Sequence, residues 1–509
     1  MGNESILILG GGIMQIPAIK AAKKNSYRVY VADANVDAPA VSLADEFCHI
    51  DLKDAEALAE KAVMLKKEQN LAGVFTAGTD FSASVAYAAS AAELPCIEYS
   101  TAMKASNKFL MRKTFQDACV PSPKFCSVKN ASEAFKACSE IGVPVVIKPV
   151  DSMGARGVVK IEDLEDKEAI NRAVENAIAS SRSSEAIVEE FMDGPEFSLD
   201  AIVFNGEITI CGFADRHIFF PPYFIEMGHT MPTEYNEEIK SAVIDVFKSG
   251  IKALGITMGA AKGDIKYSHA KGAMVGEIAA RLSGGFMSGW TFPYSSGVNL
   301  TESAVKIACG KSPGSLSPSL DNVSAERAAL SIPGIISSIE GIGEAERVDY
   351  VKDVFIHKRE GERVVFPENN VQKCTNVITA ASDRQLAVSS AEDAVRKIFF
   401  RLVPGDSATS DFIYRKTYTW APDAFVLAMP SNLAAVIKMG ASGCGMLPEL
   451  DRELSVDWHG MKMKDAFFRL SQLVECSEKD FTADFWKAFL RGGLQAGVWF
   501  IETKRLGKL

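Results

Sequence analysis

The stretch GDIKYSHAKGAMVGEIAARLSGG, residues 263–285, carries the strongest structural signal in the chain. Two segments that alternate apolar and polar residues flank a polar turn, which predicts a β-hairpin. A symmetric register about that turn places Asp264 directly opposite Glu277. Because like charges that face each other across a strand pair are destabilising, this pairing indicates that a cation lies between the two carboxylates.

The alternation also predicts that the hairpin has one buried face and one charged face. Ile265 and Ile278 are expected in the core. The charged face is expected to comprise Lys262, Asp264, Lys266, Glu277, Ala279 and Arg281. Carboxylate oxygens are hard ligands of the kind that Mg²⁺ prefers, and the cations beside them suit its polyphosphate. The alternative is a solvated antiparallel edge with incidental charges.

A second candidate site lies in VVIKPVDSMGARGVV, residues 145–159. A buried strand delivers Lys148 beside a loop that contains Gly154 and Gly157. Small residues let backbone N–H groups approach phosphate oxygens, and a lysine at the strand end neutralises those oxygens. Lys108, in the segment NKFLMRKTF, is a further candidate. The alternatives are a plain hairpin turn for the loop and a helix-surface position for Lys108.

A third candidate is AIVEEFMDGPEFSLDAIV, residues 186–203. The first strand exposes backbone groups at Glu190, Phe191 and Met192, and the next strand begins at Glu196. Such an edge can bind a purine through main-chain hydrogen bonds and a ribose through a carboxylate. An ordinary strand connection is the alternative.

The bulk composition narrows the function classes. The chain has 509 residues, a net charge of −10 and no cluster of lysines and arginines, which argues against nucleic acid as a partner. No apolar run approaches the roughly 18 residues of a membrane helix, and the first one leads into a strand rather than a signal-peptide core. The ten cysteines are scattered, as is typical of reduced thiols. We therefore expect a cytoplasmic protein without a membrane partner.

The N-terminal segment ILILGGGIMQIPAIKAA, residues 6–22, resembles a dinucleotide-binding turn but has Gln15 at the position of the third glycine. The second strand ends at Asp33, an acid that could hold a ribose. The segment alone does not decide between a cofactor site and a structural turn. Strands and helices alternate up to about residue 100, with a last strand predicted at Cys96–Glu98, which indicates a parallel α/β sheet. A helix is predicted next, over Ala102–Ala118.

Taken in order, these motifs resemble the ATP-grasp superfamily of carboxylate–amine ligases over roughly residues 1–310. The implied fold is α/β and α+β multidomain, with a Rossmann-like N-terminal domain, an ATP-grasp fold and a C-terminal extension. The expected parts are the Rossmann-like domain (1–104), the lid subdomain with its preceding helix (105–192), the Mg²⁺ and substrate subdomain (193–310), a β-rich part (311–404) and an α+β domain of unknown role (405–509).

The resemblance assigns a role to each motif. Lys108 and Lys148 match lysines that contact the ATP phosphates, and Gly154 to Gly157 match a mobile phosphate loop. Glu189, Glu190, Phe191 and Met192 match the adenine hinge, Glu196 matches the ribose carboxylate, and Asp264 and Glu277 match the metal ligands. Many members carry an asparagine at the second metal strand where this chain has Ala279, so Glu277 would bridge two ions alone or a second ion would be held less firmly.

Within the superfamily, KPVDSMGARGV, EIAARLSGG and DRHIFFPPYFIEMGHTMP (residues 215–232) look most like the L-amino-acid ligases of the biotin carboxylase-like and carbamoyl-phosphate-synthase-like group. The match implies that Arg281 steadies an acyl phosphate, with Gly284 and Gly285 nearby. It also implies that Glu226 and His229 hold the substrate amino group. A loop carboxylate and a satisfied loop histidine are the alternatives for these two. Gly11 and Gly12 would point backbone N–H groups toward the substrate carboxylate or phosphate.

The implied reaction activates a small carboxylate with ATP as an acyl phosphate, joins it to an amine, and releases ADP and phosphate. Arg281, Lys148 and Glu277 would be catalytic, with ATP and Mg²⁺, or alternatively Mn²⁺, as cofactors. Rival interpretations are a ligase of the purine-biosynthesis or carbamoyl-phosphate type, a non-catalytic nucleotide-binding sensor, and an NAD-dependent dehydrogenase. The sequence leaves a homodimer open.

Overall fold

A computed structural model describes residues 4–426 and 456–509, which form two compact units. The first comprises the chain up to Ile218 together with His229–Ser324, and the second comprises Phe219–Gly228 together with the chain from Ala325 onward. The finer five-part division predicted from the sequence stays a prediction. Among the described helices, none combines the length and apolar character needed to cross a membrane.

The strands, in chain order, are β1 (Ser5–Leu9), β2 (Arg28–Asp33), β3 (Glu46–His49), β4 (Leu71–Phe75), β5 (Phe125–Val128), β6 (Val145–Pro149), β7 (Val159–Ile161), β8 (Ala186–Glu190), β9 (Glu196–Phe204), β10 (Glu207–Phe219), β11 (Ile225–Met231), β12 (Gly259–Ser268), β13 (Gly272–Ala279), β14 (Val323–Ala329), β15 (Gly334–Glu340), β16 (Val351–Ile356), β17 (Arg363–Val364), β18 (Thr375–Ala381) and β19 (Phe399–Leu402).

The helices are α1 (Ile16–Lys24), α2 (Ala55–Gln69), α3 (Ser82–Ala91), α4 (Tyr99–Ser106), α5 (Lys108–Asp117), α6 (Ala131–Ile141), α7 (Lys167–Ser180), α8 (Glu237–Leu254), α9 (Phe292–Ser296), α10 (Leu300–Ala308), α11 (Ile342–Ala345), α12 (Arg384–Lys397), α13 (Ser407–Ile413), α14 (Met463–Leu473) and α15 (Ala483–Arg505).

The first unit begins with a parallel sheet in the order β3-β2-β1-β4. The parallel α/β arrangement is therefore confirmed. The strand predicted at Cys96–Glu98 is wrong, because these residues are not part of the sheet and lead directly into α4. The short apolar run is too brief to distinguish a strand from a helix entry.

The helix predicted over Ala102–Ala118 is two helices, α4 and α5, which are separated at Asn107. Asn107 adopts an extended conformation, and its side chain accepts a hydrogen bond from the Leu110 N–H, so that it caps the second helix. The break places Lys108 at the first position of α5 rather than in the middle of a longer helix.

Two antiparallel sheets follow in the first unit. One has the order β5-β8-β6-β7 and packs a small apolar core against α6 and α7. In the other, β13, β12, β9 and β10 lie side by side, and α8 covers their apolar face. The charged side chains considered below lie on the strands and loops of these two sheets.

The second unit contains strands in the order β14-β18-β16 and a small sheet in the order β17-β15-β19. Its core is rich in aromatic side chains, including the fully buried Phe366, Phe412 and Trp486. Its C-terminal part contains the helices α14 and α15. The latter continues to Arg505 through a kink at Gly493, whose φ of 63° is available to glycine.

Candidate active site

The β12–β13 hairpin has the central pairing that the sequence predicts, with Asp264 opposite Glu277. The ladder is not symmetric throughout, because a β-bulge with Gly276 as the extra residue shifts the pairing toward the turn. Such bulges re-aim neighbouring side chains, and this one immediately precedes Glu277. Ile265 and Ile278 are fully buried. The predicted charged face is therefore confirmed for Lys262, Asp264, Lys266 and Glu277, which are partly exposed, whereas Ala279 and Arg281 are buried.

Asp264 lies among cations on the charged face. Arg216 Nη1 lies 2.9 Å from Asp264 Oδ1, and Lys262 forms a second ion pair with this carboxylate. The Ser198 hydroxyl donates a hydrogen bond of 3.2 Å to Asp264 Oδ1. Arg216 also pairs with Glu196, the predicted ribose ligand. The charged face of the hairpin therefore continues onto β9, which carries Glu196, and β10, which carries Arg216.

Glu277 lies in the electrostatic field of the lysines and the arginine that the sequence analysis identifies. Its Oε1 lies 3.5 Å from Lys108 Nζ, and its side chain remains 29% exposed. Burial acts to raise the pKa of Glu277, but the positive charges of Lys108, Lys262, Lys148 and Arg281 outweigh it and lower the pKa to about 2. The carboxylate is therefore ionised at neutral pH and accessible to a ligand.

Lys108 is buried at the beginning of α5, and only 6% of it is exposed. Its backbone N–H donates to the Val150 carbonyl at 2.7 Å, and its Nζ donates to the Ser152 carbonyl at 2.8 Å. These bonds tie the start of the helix to the end of β6. The alternative of a helix-surface lysine is wrong, because the break at Asn107 turns this residue inward.

Lys148, on β6, forms an ion pair of 2.7 Å with Glu189 on β8. On its other side, Glu189 accepts hydrogen bonds of 2.9 and 3.2 Å from Arg112, which is 0% exposed. Burial acts to raise the pKa of Glu189, but the two adjacent cations outweigh it and lower the pKa. Sequence reasoning missed Arg112. The available signal was its position four residues after Lys108, on the same helical face.

Two backbone N–H groups of the predicted adenine hinge, residues 189–192, donate hydrogen bonds within the protein. The Glu190 N–H donates to the Lys124 carbonyl at 2.9 Å, and the Phe191 N–H donates to the Pro144 carbonyl at 3.1 Å. The Met192 carbonyl accepts a bond from Lys266, and the Glu190 side chain pairs with Lys271. The adenine-binding role of residues 189–192 stays a prediction.

The loop between β6 and β7 contains Gly154 and Gly157, whose φ values of 71° and 66° favour glycine. Asp151 anchors the start of this loop, since its carboxylate accepts hydrogen bonds from Ser181, Arg182 and Ser183. The loop therefore has a fixed base and a glycine-dependent turn. A phosphate-binding role for it stays a prediction.

Arg281 follows β13 and is 8% exposed. Its Nε donates to the Thr79 carbonyl at 2.8 Å, and its Nη1 donates to the Leu282 carbonyl at 3.0 Å. Gly284 lies against Gly78, where a Cβ on Gly78 would come within 3.0 Å of the Gly284 Cα. The loop after β4 therefore packs directly on the segment that carries Arg281, Gly284 and the neighbouring Gly285.

Asp80, in the same loop, is an acidic group that sequence reasoning missed. Its Oδ2 lies 3.8 Å from Arg156 of the glycine loop and 3.6 Å from Arg182. Burial raises the pKa of Asp80, although the charges of Arg281 and Lys108 act against this rise. Its position beyond the carboxyl end of a parallel strand was the available signal.

Asp200, on β9, is fully buried beneath this segment. The Ser283 hydroxyl donates to its Oδ2 at 2.5 Å, and the Ser283 N–H donates to its Oδ1 at 3.2 Å. Burial raises the pKa of Asp200 to about 7 against these hydrogen bonds. The backbone that leads to Gly284 is thus held by a carboxyl group that titrates near neutrality.

Glu226 and His229, both on β11, are buried. In the second unit, the Glu226 N–H donates to Asn370 at 2.8 Å, and the Glu226 carbonyl accepts a bond from Lys373. In the first unit, the His229 Nε2 lies 2.9 Å from the Thr291 hydroxyl. The two residues belong to a strand rather than a loop. Their role toward a substrate amino group stays a prediction.

The space beside the N-terminal glycine turn, residues 10–12, is occupied by a side chain of the protein. The Gln15 side chain is buried, and its Nε2 donates to the Ala77 carbonyl at 2.6 Å. A Cβ on Gly10 would lie only 3.0 Å from the Gln15 amide. The Gly11 N–H donates to Asp33 at 2.7 Å. That donor is therefore engaged, and the predicted substrate contacts of Gly11 and Gly12 stay predictions.

Comparisons with known proteins agree with this geometry. Residues 141–289 match the family model of the ATP-grasp domain, and residues 328–403 match that of the L-amino acid ligase C-terminal domain 2. These matches confirm the predicted resemblance to ATP-grasp ligases and, among them, to the L-amino acid ligases.

Two curated relatives and one solved structure show how far the similarity reaches. The uncharacterized protein y4rH of Sinorhizobium fredii is 26% identical over 360 residues, which cover 70% of this chain and 74% of that protein. Carnosine synthase 1 of Homo sapiens is 23% identical over 62% of this chain, but the match spans only 40% of that protein. An L-amino acid ligase from Bacillus licheniformis superimposes with a TM-score of 0.67 at 20% identity, over 79% of this chain and 100% of that chain.

Proposed function

We propose that this chain, which contains an ATP-grasp domain and an L-amino acid ligase C-terminal domain, is an ADP-forming carboxylate–amine ligase. Its carboxylate substrate would be an amino acid or a related small acid. One observation carries the proposal: two carboxylates, Asp264 and Glu277, oppose each other in a hairpin surrounded by lysine and arginine. This arrangement provides for a divalent cation and for the polyphosphate that accompanies it.

The donor set fits Mg²⁺. Asp264 and Glu277 supply hard oxygen ligands on adjacent strands, and the pKa of Glu277, about 2, keeps its carboxylate ionised. When bound, Mg²⁺ would neutralise charge on the nucleotide phosphates. Ala279 contributes no side-chain ligand, so Glu277 would have to serve any second ion. Mn²⁺ prefers similar oxygen ligands and is included in the proposal.

The lysines would bind and orient the nucleotide. Lys108 on α5 and Lys148 on β6 both place positive charge near Glu277. Lys108 is held by the Ser152 carbonyl and Lys148 by the Glu189 carboxylate. Fixed cations of this kind stabilise a transferring phosphoryl group without reorganisation. A substrate carboxylate oxygen would attack the γ-phosphorus, and the bond to ADP would break to leave an acyl phosphate.

Arg281 would then hold the acyl phosphate. Its Nε and Nη1 are fixed by the Thr79 and Leu282 carbonyls, which orients the guanidinium group. In the second step the amine nitrogen would attack the acyl carbon, phosphate would leave, and the amine would lose a proton. Glu226 and His229 are proposed to hold the amino group of the activated substrate. The L-amino acid ligase C-terminal domain supports an amino acid as that substrate.

The test is a phosphate-release screen with ATP, Mg²⁺ and all pairs of amino acids, followed by mass spectrometry of the positive pairs. We expect ADP and phosphate to accumulate only when both a carboxylate and an amine are present, together with a product formed by loss of water. Hydroxylamine in place of the amine should trap the acyl phosphate as a hydroxamate. Product formation without any hydroxamate would contradict the acyl-phosphate step.

A nucleotide-binding sensor is the second candidate, because Ala279 removes one ligand from the metal strand. Tight MgATP binding without turnover across the whole panel would favour it. Turnover with a purine-pathway amine or with bicarbonate, but not with amino acids, would instead favour a ligase of the purine-biosynthesis or carbamoyl-phosphate type.

A further inference from the structure

One face of α5 contacts both sheets that carry the nucleotide-site residues. Lys108 and Arg112 are four residues apart and therefore project from the same side of the helix. Lys108 reaches the Ser152 carbonyl beyond β6 and the Glu277 carboxylate on β13. Arg112 likewise contacts one residue on each sheet. Helix α5 therefore connects β6, which carries the proposed phosphate-binding Lys148, with β13, which carries the proposed metal ligand Glu277.

Arg112 makes the more rigid of these two connections. Its Nε and Nη2 form a fork on the two oxygens of Glu189, at 2.9 and 3.2 Å. The same Nη2 also donates to the carbonyl of Gly276, the bulge residue that precedes Glu277. The whole side chain is 0% exposed. Solvent therefore does not screen these contacts, and their geometry is fixed by packing.

Glu189 transmits the position of Arg112 to Lys148. Its Oε2 lies 2.7 Å from Lys148 Nζ, and its side chain is only 3% exposed. This carboxylate therefore orients the lysine and does not face the solvent from which a nucleotide would enter. Three consecutive links join Lys148, Glu189, Arg112 and the Gly276 carbonyl.

We propose that Arg112 is a positioning residue that sets the separation between the phosphate-binding Lys148 and the metal-binding Glu277. The inference rests on the proposed function, which assigns the phosphates and the metal to these two residues. Arg112 itself touches neither. It acts on Lys148 through the Glu189 carboxylate and on Glu277 through the backbone of the bulge.

Arginine is suited to this role and lysine is not. The planar guanidinium group presents several donors in a fixed fork, so it can bind a carboxylate and a carbonyl at once with defined angles. An ammonium group on a flexible stem can keep the charge but not this double geometry. Arg112→Lys therefore separates the electrostatic contribution of the residue from its geometric one.

The experiment measures MgADP binding by calorimetry at several Mg²⁺ concentrations, for the wild-type chain, Arg112→Lys and Glu189→Gln. Lys113→Met, which changes an exposed cation on the same helix, is the matched control. We expect Arg112→Lys to raise both the nucleotide Kd and the half-saturating Mg²⁺ concentration, each by about tenfold or more. Glu189→Gln should raise the nucleotide Kd and leave the Mg²⁺ dependence near that of the wild type, because Arg112 keeps the Gly276 carbonyl.

A residue with only a structural role would lower the melting temperature without moving the Mg²⁺ dependence, and that result for Arg112→Lys overturns the proposal. If Arg112→Lys does not fold, Glu189→Gln decides, and equal loss of nucleotide and Mg²⁺ affinity in it also overturns the proposal. Failure of the wild-type chain to bind MgADP would contradict the proposed function itself. That outcome is distinguishable because it does not depend on either variant.

Discussion

The glycine turn at residues 10–12 and the hairpin at residues 263–285 both have the sequence features of a ligand site. They differ in whether their polar groups are enclosed within the protein. In the turn, the Gly11 N–H is engaged by Asp33 and the space is filled by Gln15. In the hairpin, two carboxylates face each other, and Glu277 remains partly exposed among cations. The Gly11 N–H and the Gln15 amide at the turn are bonded to other groups of the protein, whereas the hairpin gathers carboxylates and cations on one partly exposed face.

A glycine pattern alone does not identify a binding site. Buried polar groups must find partners, and those of the turn find them within the protein. Opposed like charges are costly unless cations compensate them, and here Arg216, Lys262 and Lys108 lie beside the two carboxylates. A partly exposed surface of carboxylates and cations is the stronger indication of a site for a metal and phosphates. Variants in the hairpin should therefore change the rate of ADP release, and variants in the turn should change the melting temperature.

The largest effect is expected for Glu277→Gln, which removes the negative charge of a metal ligand with little change of volume. Turnover should fall by about 10²- to 10³-fold, because one preorganised charge interaction in a phosphoryl-transfer site is worth that much. The measurement is the initial rate of ADP release with the best amino-acid pair. Glu207→Gln, an exposed acid at the start of β10, is the control and should keep the wild-type rate. Equal rates for the two variants would contradict the metal assignment.

A second prediction concerns Asp200, which is buried beside the hairpin and has a pKa of about 7. Because this value exceeds the ordinary value of an unfolded aspartate, the native state binds the proton more tightly, and stability declines as the pH rises from about 4 toward 7. The full loss is roughly 4 kcal/mol, by the conversion of 1.36 kcal/mol per pKa unit. Melting temperatures of the wild-type chain and Asp200→Asn across this range would measure it.

The difference in melting temperature between the wild type and Asp200→Asn should change monotonically in favour of the variant as the pH rises, since other groups titrate equally in both. A constant difference across the range would show that Asp200 has the same pKa in the folded and unfolded states. Ser283→Ala, which removes the hydroxyl that donates to the carboxylate, should raise the pKa further and move the transition to higher pH.

Much of the fold and the central pairing of the site could be predicted from the sequence. Period-two alternation predicts that Ile265 and Ile278 are buried, and the predicted pairing of Asp264 with Glu277 is confirmed. The register at the turn, with Ser268 opposite Gly272, would by itself place Gly276 opposite Asp264, so the bulge is what brings Glu277 to this position. The bulge at Gly276 was not predicted, because a symmetric register with Asp264 opposite Glu277 requires an even number of turn residues, whereas the turn between Ser268 and Gly272 has three, and the sequence does not fix this length.

The partners of Glu189 were beyond sequence reasoning for a different reason. Its ion pairs join β8 to β6 and to α5, and Arg112 is 77 residues away. Spacing within a motif reports local periodicity and carries no information on such contacts. The same holds for Asp80, whose neighbours Arg156 and Arg182 come from other elements.

In the glycine turn, Gln15→Ala should destabilise the protein without affecting nucleotide binding. The substitution leaves the buried Ala77 carbonyl without its donor, which typically costs about 1–3 kcal/mol. A lower melting temperature with an unchanged Kd for MgADP is the expected result. Gln116→Ala, at an exposed position, is the matched control. A large loss of MgADP affinity in Gln15→Ala would place the turn in the nucleotide site.

The smallest effect is expected for Asp33→Asn. Asparagine keeps one oxygen that can accept the Gly11 N–H, but its amide NH2 replaces the second oxygen, which accepts the Asn35 N–H at 2.8 Å. Because the Asn35 bond is exposed and water can replace it, the cost is about 1 kcal/mol. If Asp33 instead held the ribose of a dinucleotide, the wild-type chain would bind NAD and the variant would not. We expect neither to bind NAD in a fluorescence titration, and only a slight decrease in melting temperature relative to Asp37→Asn, an exposed neighbour. NAD binding that is lost in Asp33→Asn would remove the distinction between the turn and the hairpin.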